Sequence, residues 1–245
     1  MPKISKEKWK VWGNVFDEFT LRTLFKLASQ GHFEQLLSPI FVGKESNVFT
    51  AKKGLDKVIV KIYRLETCDF NKMYDYIKYD PRYINLKKQK RKIVFAWTQR
   101  EYRNLIKARN AGVNVPKPIA FLNNVLILEF IGNKQPSPRL KDNLPENQKK
   151  FFDKVIKNMQ KLYKSGLVHA DLSQFNILNY NDDPVFIDFS QCTPINNPRA
   201  EEFLERDVKN ISNFFKKIGL KIDAEKILKK VKNVWVWLWV KNTQR

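Results

Sequence analysis

The chain has 245 residues, room for one large domain or two small ones at roughly 100–200 residues per domain. Lys and Arg number 46 against 25 Asp and Glu, a net charge of +21, while 43% hydrophobic and 13% aromatic residues exclude a disordered basic tail. Two cysteines, Cys68 and Cys192, exclude a disulfide framework and fit no zinc spacing. With no run near the ~20 apolar residues of a membrane span and a charged start, MPKISKEK, the expectation is a folded, basic, cytoplasmic protein without membrane contact.

In chain order, Val15, Phe16, Phe19, Leu24, Phe25, Leu27 and Ala28 predict a helix closing at Gly31. Three β-rich runs follow, 39–42, 48–51 and 58–63, separated by Gly-containing turns, which predicts an antiparallel meander. The Tyr-rich segment 64–85 lacks clean periodicity and is expected to be mobile. Residues 86–111 contain neither Gly nor Pro. Along them Ile93, Val94, Trp97, Leu105 and Ala108 fall within an arc of roughly 120° at 100° per residue, a helix whose apolar stripe also holds Glu101. A carboxylate in that stripe requires a cation or strong donors, and Lys61, at the end of the apolar strand 58–61, is the plausible partner.

Two more strands, 120–122 and 125–129, join through the tight-turn pair Asn123 and Asn124. The Pro-containing patch QPSP at 135–138 reads as a hinge or flap. Helices are then predicted from Phe151 to Tyr163, ending at Gly166, over about 198–217, and over about 223–231. Between the first two lie 167–172 and 184–188, each an apolar run delivering an acid. Strands first and helices second make the layout α+β and two-lobed. The string VWVWLWV at 234–240 is too short to span a membrane and receives no role.

The chemistry-bearing pattern is His169, Asp171 and Asn176 followed by Asp188. An Asp, an Asn five residues on and a second Asp after a short strand suit phosphoryl transfer from a metal-bound nucleotide. One carboxylate orients or deprotonates the acceptor, and the Asn and the second Asp offer hard oxygen ligands to Mg²⁺. His169 is read as holding the loop by hydrogen bonds and His32 as a solvent-side residue. Gly43 and Ser46, in the turn between the first two strands, could present a backbone N–H and a hydroxyl to phosphate oxygens.

Six motifs in order resemble the RIO family of atypical protein kinases, the Rio-one subfamily best: VGKESNV at 42–48, VKIY at 60–63, WTQREYRNL at 97–105, LEFIG at 128–132, LVHADLSQFN at 167–176 and FIDFS at 186–190. The resemblance covers about Val15 to Gly219. It implies a two-lobed protein-kinase-like fold with a small antiparallel-sheet N-lobe and a reduced helical C-lobe. The expected division is an N-terminal helical extension at 1–36, an N-lobe at 37–129, a C-lobe at 130–233 and a tail at 234–245.

It further implies an ATP- and Mg²⁺- (or Mn²⁺-) dependent kinase or ATPase. Gly43, Lys44, Glu45, Ser46 and Val48 would form the phosphate loop, and Lys61 would meet phosphates while paired with Glu101. Glu129 and Ile131 would face adenine, Asp171 would be catalytic, and Asn176 and Asp188 would hold metal, with Asp188 a potential phosphoryl acceptor. The implied partner is the precursor small ribosomal subunit and its RNA, gripped by the basic, Tyr-rich segment 64–92. Departures from the family pattern are Phe41, Val42 and Ser46 in the phosphate loop and Gln174 in place of the usual Glu. No Ala-Pro-Glu follows Asp188, so the usual peptide platform is missing. Two other readings stay open: a small-molecule phosphotransferase of the aminoglycoside or choline kinase kind, and a non-catalytic RNA-binding assembly factor. The charge of +21 argues against a cationic acceptor, and all four key residues, Lys61, Asp171, Asn176 and Asp188, are present.

Overall fold

The computed structural model describes residues 16–233. Val15 and the Trp-rich string therefore lie outside the described residues. The described residues divide into two compact units: one of residues 16–78, 83–103 and 117–130, the other of 79–82, 104–116 and 131–233.

In the first unit, Asp17 caps helix α1 (Glu18–Ser29), its carboxylate accepting from Thr20 N at 2.9 Å. The helix stops where Gly31 takes φ +79°, a left-handed turn that a Cβ would strain. Five strands follow as β1 (Gln35–Val42), β2 (Ser46–Lys53), β3 (Asp56–Tyr63), β4 (Pro118–Leu122) and β5 (Val125–Glu129), all antiparallel in the order β1-β2-β3-β5-β4. The predicted meander and hairpin are both present. β1 starts four residues before the predicted run, so a boundary at 36 falls inside it. Leu24, Leu27 and Ala28 of α1 pack with Phe33, Phe49, Val60, Ile62, Val125 and Ile127, so the helix covers the sheet's apolar face. Phe25 is 52% exposed, on the solvent side of the helix rather than in its stripe. Thr20 and Thr23 occupy the buried side, receiving Asn124 Nδ2 at 2.9 Å and Asn123 Nδ2 at 3.0 Å.

The segment 64–85, which lacks clean periodicity and is expected to be mobile, holds helix α2 (Phe70–Ile77) and a 3₁₀ turn (Pro81–Tyr83). α2 is only eight residues long and lies inside a polar, Tyr-rich stretch. Its Met73, Tyr76 and Ile77, at helical spacing, are buried, and Asp69 caps it through Lys72 N at 3.0 Å. Helix α3 (Lys90–Asn110) buries every residue of the predicted stripe, and its last turns belong to the second unit.

The second unit carries helix α4 (Gln148–Lys164), the short pair β6 (Leu167–Val168) with β9 (Thr193–Pro194), the hairpin β7 (Ile177–Tyr180) with β8 (Asp183–Phe186), and helices α5 (Ala200–Lys217) and α6 (Ala224–Lys232). Its core joins Phe151, Phe152, Val155, Ile156 and Leu162 of α4 to Phe203, Leu204, Ile211 and Phe215 of α5. The QPSP patch is a pinned loop. Ser137 N donates to Ile131 O at 2.9 Å, and Asn179 N and Leu140 N tie its far side to β7. A cleft of about 920 Å³ opens beside it, lined by Asn133, Gln135, Asn143, Asn179 and Asp182, and neither Asp171 nor Asp188 lines it. Among the described residues no helix is long and apolar enough to cross a membrane.

Candidate active site

In the first unit β3 places Lys61 opposite Val48 of β2 and Leu126 of β5, in the middle of the sheet. Its ammonium is 2.9 Å from Glu101 Oε1, with both side chains buried. Tyr63, two residues on and thus on the same face, donates its hydroxyl to Glu101 Oε2. The Lys61 ammonium also lies 5.1 Å from the Tyr63 ring centroid. The carboxylate in the apolar stripe therefore has the cation it required and a second donor that the sequence did not announce.

The turn from β1 to β2 is tight. Gly43 N donates to Ser46 O at 3.0 Å, and a Cβ on Gly43 would lie 2.5 Å from a Phe41 ring carbon and 3.2 Å from Ser46 O. The start of the 64–85 segment clamps this turn's backbone. Thr67 Oγ1 donates to Lys44 O at 3.0 Å, Arg64 N donates to Glu45 O at 3.0 Å, and Cys68 Sγ lies 3.2 Å from Glu45 O. Burial pushes the Cys68 thiol up to about 12, so it stays protonated. Lys44 is exposed, Glu45 and Val48 are half-buried and Ser46 is buried. The Glu129 carboxylate accepts from Lys117 N at 2.8 Å, closing the β4–β5 end.

In the second unit the loop after β6 is held from beneath. Ala170, at φ +66°, donates its N–H to Asp207 Oδ2 at 2.8 Å; Leu172 N donates to Asp207 Oδ1 at 2.8 Å, and Arg206 donates to Ala170 O. Burial pushes the Asp207 carboxyl up to about 7 even though those two N–H groups and Arg206 favour its charged form. His169 Nε2 lies 3.0 Å from Ile187 O, the loop-holding role expected of it. Asp171 stands above, its Oδ2 accepting from Asn176 Nδ2 at 3.1 Å and Gln191 Nε2 at 3.4 Å; Asn176 Nδ2 also reaches Asp171 O at 2.8 Å.

The β7–β8 hairpin turns at Asn181 and Asp182, both at positive φ, and returns the chain to Asp188 at φ +61°. Ser190 Oγ donates to Asp188 Oδ1 at 2.7 Å. The donor set of Asn176 and Asp188 suits Mg²⁺: it consists of an amide and a carboxylate oxygen, with neither His nor Cys. Its small size fits an ion that keeps several waters, and among the described residues no group of three or more His, Cys, Asp or Glu could hold a metal. Asp207 and Asn104 are supporting residues that the sequence reading missed. Each interrupts a buried helical stripe, the same signal that singled out Glu101.

Comparison with known proteins shows the family and the fold. The RIO domain matches residues 47–227. The RIO-type serine/threonine-protein kinase Rio1 of Haloferax volcanii is 41% identical over 90% of this chain and 77% of its own length. Rio1 of Methanocaldococcus jannaschii is 43% identical over 86% and 73%, and that of Thermoplasma acidophilum 41% over 76% and 98%. The crystal structure of the Rio2 kinase–ADP/Mg²⁺–phosphoaspartate complex from Chaetomium thermophilum superposes with a TM-score of 0.64 at 20% identity, over 86% of this chain and 65% of that one. With its motifs in order, its α+β kinase-like fold and these relatives, the chain belongs to the RIO-type serine/threonine protein kinases.

Proposed function

We propose that this chain transfers the γ-phosphoryl group of ATP in a Mg²⁺-dependent reaction, as autophosphorylation or as ATP hydrolysis, and acts as a switch during maturation of the small ribosomal subunit. The buried Lys61–Glu101 pair carries the reading: a desolvated, hydrogen-bonded ammonium on a central strand is costly to keep and suits a site for phosphate oxygens. Lys61 would bind the α- and β-phosphates, Gly43 and Ser46 would hold the phosphate tail, and the backbone of Glu129 and Ile131 would meet adenine. Asp171 would orient the attacking hydroxyl and take its proton. Asn176 and Asp188 would hold the metal, which when bound neutralises charge developing on the phosphates.

The Rio2 complex bearing a phosphoaspartate supports Asp188 as an acceptor in this chain. In that step a carboxylate oxygen bonds to the γ-phosphorus, the bond to the bridging oxygen breaks, ADP leaves, and water later releases phosphate. The test is ATP turnover by the wild type beside Asp171→Asn, with and without small-subunit precursors. Equal turnover by the two proteins would overturn the assignment. Stimulation by precursors supports the switch, and its absence removes the ribosomal part of the proposal.

A further inference from the structure

Residues 79–82 of the 64–85 segment belong to the second unit, where Asp80 and Asn104 are fully buried. Arg82 forks onto the Asp80 carboxylate, Nε to Oδ1 at 2.8 Å and Nη2 to Oδ2 at 2.6 Å, and Arg82 N also donates to Oδ1 at 3.1 Å. The same Nη2 donates to Asn104 Oδ1 at 2.9 Å. Asn104 Nδ2 then donates twice, to Phe189 O at 3.2 Å and to Cys192 O at 2.8 Å. The amide can face only one way here, since its NH₂ meets two carbonyls and its oxygen meets a guanidinium. Those carbonyls bracket the turn that follows Asp188, and Cys192 N closes that turn onto Phe189 O at 3.3 Å.

Asp188 is held at φ +61°, a conformation that is strained for a non-glycine residue and persists only when its surroundings enforce it. We infer that Asp80, Arg82 and Asn104 form a polar relay whose task is to fix the orientation of Asp188, so that residues 79–82 are a positioning element for the metal-binding carboxylate. None of the three touches the reacting atoms. They act through the Phe189 and Cys192 carbonyls, and through them on the turn from which Ser190 bonds Asp188. The relay also explains why a polar side chain sits in the buried stripe of α3 one turn beyond Glu101.

The inference rests on the proposed metal role of Asp188. Arg82→Ala, Arg82→Lys and the double variant Asp80→Asn with Arg82→Gln, which removes the carboxylate together with the guanidinium, separate it from that reading. Outer partners of a metal site typically govern 10–100-fold in metal affinity, so the Mg²⁺ concentration for half-maximal turnover should rise about tenfold in Arg82→Ala. Amides 189–192 should exchange hydrogen faster, and Arg82→Lys, which can still reach Asn104 Oδ1, should recover part of both effects. Should Arg82→Ala fail to fold, the same two readings are taken on the double variant. A merely structural role would lower the unfolding temperature, speed exchange throughout the fold and leave Mg²⁺ half-saturation unchanged; unchanged Mg²⁺ half-saturation without faster exchange confined to 189–192 in a folded variant would overturn the relay. A wild type with no ATP turnover would instead overturn the proposed function, and faster exchange at 189–192 in the variants would still test the relay there.

Discussion

Glu101 shows how much one residue can commit a site. Its two oxygens are engaged by Lys61 and Tyr63 in a buried setting, so Lys61→Ala leaves a buried carboxylate without its cation. Breaking a buried pair from one side costs about 3–5 kcal/mol, so urea unfolding should show a loss of that size, alongside weakened nucleotide binding. Asp171→Asn should behave in the opposite way. Its amide fills the same space and keeps the fold and ATP binding, while turnover falls roughly 10²–10⁴-fold; more than about a tenth of wild-type turnover would remove Asp171 from the catalytic role. Cys68 allows a pH test. Its thiol is raised from an ordinary value of 9.0 to about 12, so the folded protein binds this proton more tightly than the unfolded chain does. The stability gained is complete below about pH 9 and is lost as pH rises towards 12. Iodoacetamide at pH 8 should accordingly modify Cys68 far more slowly in the native protein than in urea.

At the scale of elements, the β7–β8 hairpin also serves as a cap. Asp182 sits in its turn at φ +59°, and its carboxylate accepts from Glu146 N at 3.1 Å and Asn147 N at 3.4 Å, just ahead of α4. Asp182→Gly relieves the backbone but loses the acceptor, whereas Asp182→Ala loses the acceptor and keeps the strain. Thermal unfolding should rank wild type above Asp182→Gly above Asp182→Ala, with about 1 kcal/mol lost in the alanine variant. Elements of this kind mark where the sequence was legible. Strands with β-branched runs and helices with a sustained apolar stripe announced themselves, as did the partner demanded by a charge in such a stripe. Helix α2 was missed because its eight residues lie inside a polar, Tyr-rich stretch in which no clean period stands out. Asp207 was missed although it interrupts the stripe of Phe203, Leu204, Val208 and Ile211 as Glu101 interrupts its own, because the loop it supports lies 35 residues away in sequence. The bond from Thr67 to Lys44 carries no sequence pattern at all; a hydroxyl meeting a distant carbonyl is visible only once the chain is folded.

For the molecule as a whole, a net charge of +21 favours polyanionic partners. Lys87, Lys88, Lys90, Arg91 and Lys92 are all exposed where α3 begins, and Lys88 lies 5.3 Å from the Tyr74 ring centroid. Of the tyrosines nearby, Tyr76 is removed from any stacking role, since it is buried edge-on against Trp97 at 5.9 Å. Replacing those five cations with Gln should flatten the log–log salt dependence of RNA binding by a few units, at roughly 0.7–0.9 for each phosphate no longer neutralised, and leave ATP binding unchanged. An unchanged slope would move the RNA surface to the lysines of α5 and α6.

The 64–85 segment has one more consequence. Its beginning is fastened to the Lys44–Glu45 backbone within the first unit, and its residues 79–82 are built into the second through Asp80 and Arg82. A protease nick between these two moorings would leave every proposed ATP- and metal-binding residue in place, yet sever the covalent path joining a grip on the phosphate loop to a grip on the Asp188 turn. Anything that seizes the stretch between them has hold of both ends of one tether.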